Sequence, residues 1–147
     1  MKGKNIYLAE DDSDDIKWFQ DVMEEICSEG AVTVFYNGEE LLERLKDTTI
    51  PLPDMILLDI NMPVMNGFEC LKNIRSGLNL KDVPVVILTT SSSRTTIEIT
   101  YKLGANYFIK KPSNYIDLKK MLQSVLEIDW QNYSKPESSD AFIYKYN

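Results

Sequence analysis

Two apolar runs in this chain stop on acids: Ile6 to Ala9 is followed by Glu10, Asp11 and Asp12, and Met55 to Leu58 is followed by Asp59. Two others stop on groups able to meet an anion, with Val83 to Leu88 leading into Thr89 and Thr90 and Tyr107 to Ile109 leading into Lys110 and Lys111. If Glu10, Asp11 and Asp59 share one crevice, repulsion between carboxylates about 4 to 5 Å apart costs about 4 kcal/mol per pair at an effective dielectric of about 20. A cation must offset that cost. The chain has no histidine, which removes Ser/His/Asp triads, Cys/His dyads and His-ligated zinc together. An all-oxygen ligand set suits a hard cation, and Mg²⁺ typically takes one or two carboxylates, keeps several waters and adds a phosphate oxygen. These residue types therefore describe a site for Mg²⁺ and a phosphate group.

The elements that must bring the acids together follow from hydrophobic periodicity. Five apolar runs of strand length lie at Ile6 to Ala9, Ala31 to Phe35, Met55 to Leu58, Val83 to Leu88 and Tyr107 to Ile109. Helical spacing separates them, as in Ile16, Phe19, Val22, Met23 and Ile26, then Leu41, Leu42 and Leu45, then Phe68, Leu71 and Ile74. Capping residues stand at the expected helix starts: Ser13 before Asp14 and Asp15, Asn37 before Glu40, Asn66 before Glu69, and Asn114 before Asp117. A threonine-rich helix is expected near Thr95 to Leu103, and a final one from Tyr115 to about Asp129. Near-continuous apolar strands alternating with amphipathic helices predict an α/β domain, a doubly wound five-stranded parallel sheet with helices on both faces. In such sheets the functional crevice lies beyond the carboxyl ends of the strands, where the winding reverses. The acids, hydroxyls and lysines all fall at those ends.

Bulk properties narrow the function. The 147 residues are 44% hydrophobic, enough for one domain at residues 1–129, with residues 130–147 read as an aromatic-containing tail and no separate output domain. A net charge of -7 argues against direct binding of nucleic acid. No apolar stretch approaches the roughly 18 residues needed to cross a membrane, so a cytoplasmic protein is expected. Cys27 and Cys70 stand without a ligand pattern and are expected to be core residues.

The chain also resembles a known family, the receiver domains of two-component response regulators, over roughly residues 4 to 129. The matching segments are "YLAEDD" with Glu10 and Asp11, "LLDINMPVMNG" with Asp59, Pro63 and Gly67, "PVVILTT" with Thr89, and "FIKKP" with Lys111 and Pro112. The resemblance implies the flavodoxin-like strand order 2-1-3-4-5. It implies that Asp59 is the phosphoacceptor, taking a phosphoryl group from a phosphohistidine of a sensor histidine kinase or a histidine phosphotransfer protein. Asp11, Asp59 and the Asn61 backbone carbonyl would bind Mg²⁺ directly, Glu10 would act through water, and Lys111 would hold a phosphoryl oxygen. Thr89 would turn toward the phosphoryl group and Phe108 would repack behind it. Relatives often carry tyrosine at the position of Phe108.

A narrower likeness, in "VLEIDW" and the aromatic tail, is to stand-alone regulators that accompany bacterial phytochromes, many of them homodimers. Alternatively, Phe142, Tyr144 and Tyr146 fold back over the domain or hang in solution. The protein is expected to switch protein–protein binding and to assist its own phosphorylation and dephosphorylation, without being a turnover enzyme. A receiver-like scaffold that is never phosphorylated is the alternative, although such proteins commonly lose one of the residues present here. An aspartyl-phosphate phosphatase would need a second aspartate two positions after the first, where this chain has Asn61. A flavodoxin would need a Ser/Thr-rich phosphate cradle where this chain has acids.

Overall fold

A computed structural model describes residues 4–77 and 79–146; residues 1–3 of the expected domain and residue 147 of the tail lie outside the described residues. The strands are β1 (Asn5–Ala9), β2 (Ala31–Phe35), β3 (Met55–Leu58), β4 (Val85–Thr89) and β5 (Tyr107–Lys110). Between and after them come α1 (Ser13–Ile26), α2 (Gly38–Lys46), α3 (Gly67–Ser76), α4 (Arg94–Lys102) and α5 (Tyr115–Leu126). All neighbouring strands pair in parallel, in the order β2-β1-β3-β4-β5. The doubly wound arrangement is as expected, with its reversal between β1 and β3.

Side chains alternate across the sheet into two cores. Ile6, Leu8, Leu57, Val86, Leu88 and Ile109 pack with α1 and α5, while Tyr7, Ala9, Ile56, Leu58, Ile87 and Phe108 pack with α2, α3 and α4. Both faces of each central strand are covered, which is why these strands read as unbroken apolar runs. Cys27 and Cys70 are buried. Burial pushes the Cys70 thiol up to about 12.

Several boundaries differ from expectation. The cap of α1 is Asp12, whose Oδ1 accepts from the Asp14 and Asp15 amides at 2.9 and 3.1 Å; Ser13 is already helical because Asp12 holds the extended conformation that a cap requires. Asn37, Asn66 and Asn114 cap as expected. Strand β4 begins at Val85 rather than Val83, since Pro84 has no N–H to donate and enters the ladder only through its carbonyl, which accepts from Ile56 at 2.9 Å. Helix α5 stops at Leu126, and Asp129 instead caps a 3₁₀ turn at Trp130–Asn132. The threonine-rich helix α4 forms one residue earlier than its apolar pattern suggests. Ser93 caps it, and the buried Thr100 hydroxyl bonds back to the Thr96 carbonyl at 2.9 Å.

The residues after Trp130 pack against the domain. A short helix α6 (Ser139–Phe142) brings Phe142 to complete burial, and Ile143 forms a parallel bridge with Phe108. Tyr107 is surrounded by Trp130, Tyr133 and Tyr144 at centroid distances of 6.0, 5.5 and 5.0 Å. At the opposite end of the sheet from the acids, Arg75 ties three segments together. Its Nε donates to the Gly104 carbonyl at 2.7 Å, Nη1 to the Val83 carbonyl at 2.8 Å and Nη2 to Asn106 Oδ1 at 2.8 Å.

Gly67 shows how tightly the loop after β3 is packed. A Cβ there would lie 2.4 Å from the Asp59 carbonyl oxygen and 2.7 Å from Ile60 Cα, both backbone atoms that cannot turn aside. Gly67→Ala should therefore cost about 2–3 kcal/mol, read as a lower urea midpoint at unchanged slope.

Candidate functional site

The acids meet because of sheet register. Ala9 pairs with Leu58, so the residues that follow them, Glu10 and Asp59, emerge side by side at the carboxyl end of the sheet. Backbone bonds continue past the strands and hold them: the Asp59 amide donates to the Ala9 carbonyl at 3.1 Å, and the Glu10 amide to the Phe35 carbonyl at 2.9 Å. On the other side of β3, the Lys111 amide donates to the Thr89 carbonyl at 2.9 Å. Glu10, Asp11 and Asp59 each offer a carboxylate oxygen, and these oxygens lie within 4.8 Å of one another. Glu10 and Asp59 are 2% and 6% exposed, whereas Asp11 faces solvent.

Lys111 reaches into this cluster, its side chain only 13% exposed. The ammonium pairs with Glu10 and lies 3.0 Å from Asp15 Oδ2 and 3.4 Å from Asp59 Oδ2. Lys110, the other candidate, is exposed at the end of β5. Glu10 is also held by the amides of Asp11 and Asp12, which donate to Oε2 at 3.1 and 3.2 Å.

One ammonium cannot neutralise four carboxylates, and the ionisation of the pocket shows it. Burial pushes the Glu10 carboxyl up to about 7, helped by the charge of Asp59 and opposed by the Lys111 hydrogen bond. Burial works against the Lys111 ammonium, but its hydrogen bond to Glu10, the Asp59 charge and the Asp15 contact outweigh that and raise it. The pocket thus keeps its cation charged and is still left with surplus negative charge. The donor set is three carboxylates without nitrogen or sulfur, which fits a hard divalent ion. Two oxygens on one Mg²⁺ ion stand at most about 4.2 Å apart, so the spacing found here is nearly that of such a ligand shell.

Each residue expected at the site is placed by the structure. Thr89 ends β4, fully buried, and its Oγ1 accepts from the Ser91 amide at 3.3 Å. The Asn61 amide points back to Asp59 Oδ1 at 3.4 Å. Phe108 lies on β5 opposite Ile87, 1% exposed and packed on Phe142 at a centroid distance of 6.3 Å. Asp12 turns away to cap α1. Asp15 was not foreseen as part of the cluster. Its position in the first turn of α1, just after the acids that end β1, was the available clue. Val64, in the loop after Asp59, adopts φ 66°, and Met65 N–H closes on the Pro63 carbonyl at 2.7 Å. This is a left-handed γ-turn on a β-branched residue, a strained conformation.

Comparisons with known proteins agree with this geometry. The family described as the response regulator receiver domain matches residues 6–123. The response regulator Rcp1 of Synechocystis sp. is 32% identical over 126 residues, covering 83% of this chain and 86% of Rcp1. The Mn²⁺-bound structure of Rcp1 superimposes with a TM-score of 0.77 at 31% identity, over 90% of this chain and 99% of that one. The phosphorylated cyanobacterial phytochrome response regulator RcpA gives 0.79 at 31% identity, over 92% and 99%. RPA3017, a response regulator in red light signaling of R. palustris, gives 0.77 at 26% identity, over 92% and 99%. Its order of strands, its acidic cluster and its lysine agree with these matches, and the chain belongs to the response regulator receiver domain family.

Proposed function

We propose that Asp59 accepts a phosphoryl group from a phosphohistidine on a partner protein, and that the modified domain changes what it binds. The observation that carries this is the pairing of a nearly buried carboxylate with two further acids and a lysine in one pocket. An Asp59 carboxylate oxygen attacks phosphorus as the P–N bond to the donor imidazole breaks, and the imidazole leaves with the bonding electrons. Lys111 leaves its carboxylate partners to meet a phosphoryl oxygen, and the backbone ladder holds Asp59 in line. Asp11, Asp59 and the Asn61 backbone carbonyl, with Glu10 through water, would hold Mg²⁺, which when bound would supply charge neutralisation for the phosphoryl oxygens. Thr89 donates its hydroxyl to the newly bound group, drawing the end of β4 inward while Phe108 repacks. Water later hydrolyses the acyl phosphate; transfer is stoichiometric rather than a turnover activity.

The likeness to RcpA, Rcp1 and RPA3017 supports a phytochrome-type sensor histidine kinase, working in the cytoplasm, as the donor. Among the described residues no helix is long and apolar enough to cross a membrane.

Two measurements test the site. After incubation with a small phosphodonor and Mg²⁺, intact mass should gain one phosphoryl group in the wild type and none in Asp59→Asn; equal labelling of both would refute the assignment. The second concerns pH in the metal-free protein. Because the Glu10 carboxyl is raised from 4.5 to about 7 in the fold, the folded state binds more protons than the unfolded state across that window. Stability should fall as pH rises through it, with the penalty complete above about 7. Chemical denaturation in chelator at about pH 5 and about pH 8 should show a loss on the order of 1–3 kcal/mol in wild type that Glu10→Gln lacks. Saturating Mg²⁺ should remove most of it.

A further inference from the structure

Residues 133–146 close over the α4–β5 face through contacts that a loose tail would not make. Phe142 is 0% exposed, its ring 5.3 Å from that of Tyr101 on α4 and 6.3 Å from that of Phe108 on β5. Ile143 pairs in parallel with Phe108, and the Tyr144 N–H donates to the Phe108 carbonyl at 2.8 Å, so the chain extends the sheet beyond β5 at a single point. Polar contacts surround this centre. Arg94 pairs with Asp140 at 2.5 Å and donates to Ser139 at 3.0 Å, Tyr101 donates to the Pro136 carbonyl at 2.5 Å, and the Tyr144 and Ser124 hydroxyls meet at 2.6 Å. The Arg94–Asp140 pair is more than half exposed on both sides and contributes little. The buried Phe142 ring is the main hold.

We propose that residues 139–146 are a strap, docked on the α4–β5 face while Asp59 is unmodified and released when Asp59 carries a phosphoryl group, with the Phe142–Phe108 contact as the coupling. This rests on the reading above in which Thr89 moves and Phe108 repacks. Phe108 lies opposite Ile87, two residues before Thr89 on the same strand. As Phe108 turns into the space behind Thr89, Phe142 loses the ring beneath it and faces a void, which destabilises its seat. The short polar stretch Lys135 to Ser138 gives the segment room to leave. Release uncovers Tyr101, Phe108 and the seat of Phe142, which together fit an aromatic or large aliphatic anchor on a partner. Coupling is reciprocal, so a chain that ends before Ser139 favours the phosphorylated state.

Hydrogen exchange read by mass spectrometry on the full chain, with and without phosphodonor and Mg²⁺, tests the strap. Intact mass on the same samples reports whether Asp59 is modified. Amides of residues 139–146, the Tyr144 amide among them, should exchange at least tenfold faster in the phosphorylated protein and stay slow in Asp59→Asn under both conditions. Phe142→Ala should exchange fast in this segment before any phosphorylation and gain nothing afterwards, with β1 and β3 peptides still protected as the check on folding. Should Phe142→Ala unfold, the wild-type comparison decides alone. Protein that is phosphorylated by mass yet keeps a slow or slower segment would overturn the strap while leaving the phosphoacceptor intact. A wild-type chain that gains no phosphoryl mass removes the reading beneath it, and the strap with it.

Discussion

The whole arrangement answers to a surplus of negative charge at one end of the sheet. Four carboxylates, Glu10, Asp11, Asp15 and Asp59, surround or adjoin a single ammonium, and two of the four are nearly out of contact with water. Such a pocket is costly in an isolated domain. Backbone bonds on either side, from the Asp59 amide to the Ala9 carbonyl and from the Lys111 amide to the Thr89 carbonyl, fix where the main chain places Asp59 and Lys111, and the buried Glu10 and Asp59 carboxylates stay beside the ammonium. The pocket's all-oxygen donor set would suit a hard divalent ion.

The sheet delivers this strain in a directed way. Its two cores are filled by alternate residues of the same strands, so β3 and β4 are clamped from both faces along their length. Only their carboxyl ends are free to respond. The loops there carry the strained Val64 turn, the close approach at Gly67 and the buried Thr89 hydroxyl. A change of charge at Asp59 would therefore act first on these few segments, and β5 is the strand whose outer edge meets the aromatic C-terminal residues.

How far the sequence alone discloses this depends on the range of the interactions. Strand placement follows from unbroken apolar runs and helix placement from a period of about 3.6, so the five runs and their order of appearance were legible, as were Glu10, Asp11, Asp59, Thr89 and Lys111 at strand ends, whereas strand register was not. Capping was legible in type but not always in position: Asp12 and Ser13 are both good caps, and only the backbone angles at Asp12 decide between them. Asp15 was missed because a first-turn acid on a helix has an ordinary explanation in the helix dipole, and only the reach of Lys111 from β5 gives it a second one. Helix α4 was blurred because threonine hydroxyls that find carbonyls within the helix make a poor intrinsic former acceptable. The C-terminal residues offered aromatic side chains with no periodicity, and their seat on Tyr101 and Phe108 depends on contacts more than thirty residues distant in sequence.

Arg75 lies at the other end of the molecule, where its planar fork gathers carbonyl and amide oxygens from the segments leading into β4 and β5. That end is pinned. A displacement imposed at the acidic rim would therefore meet a fixed far end and would be turned sideways into the helix and edge residues that flank β4 and β5. A lysine in place of Arg75 would keep the charge and three donors but gather them on one nitrogen, so it could not span these separated oxygens as the planar fork does.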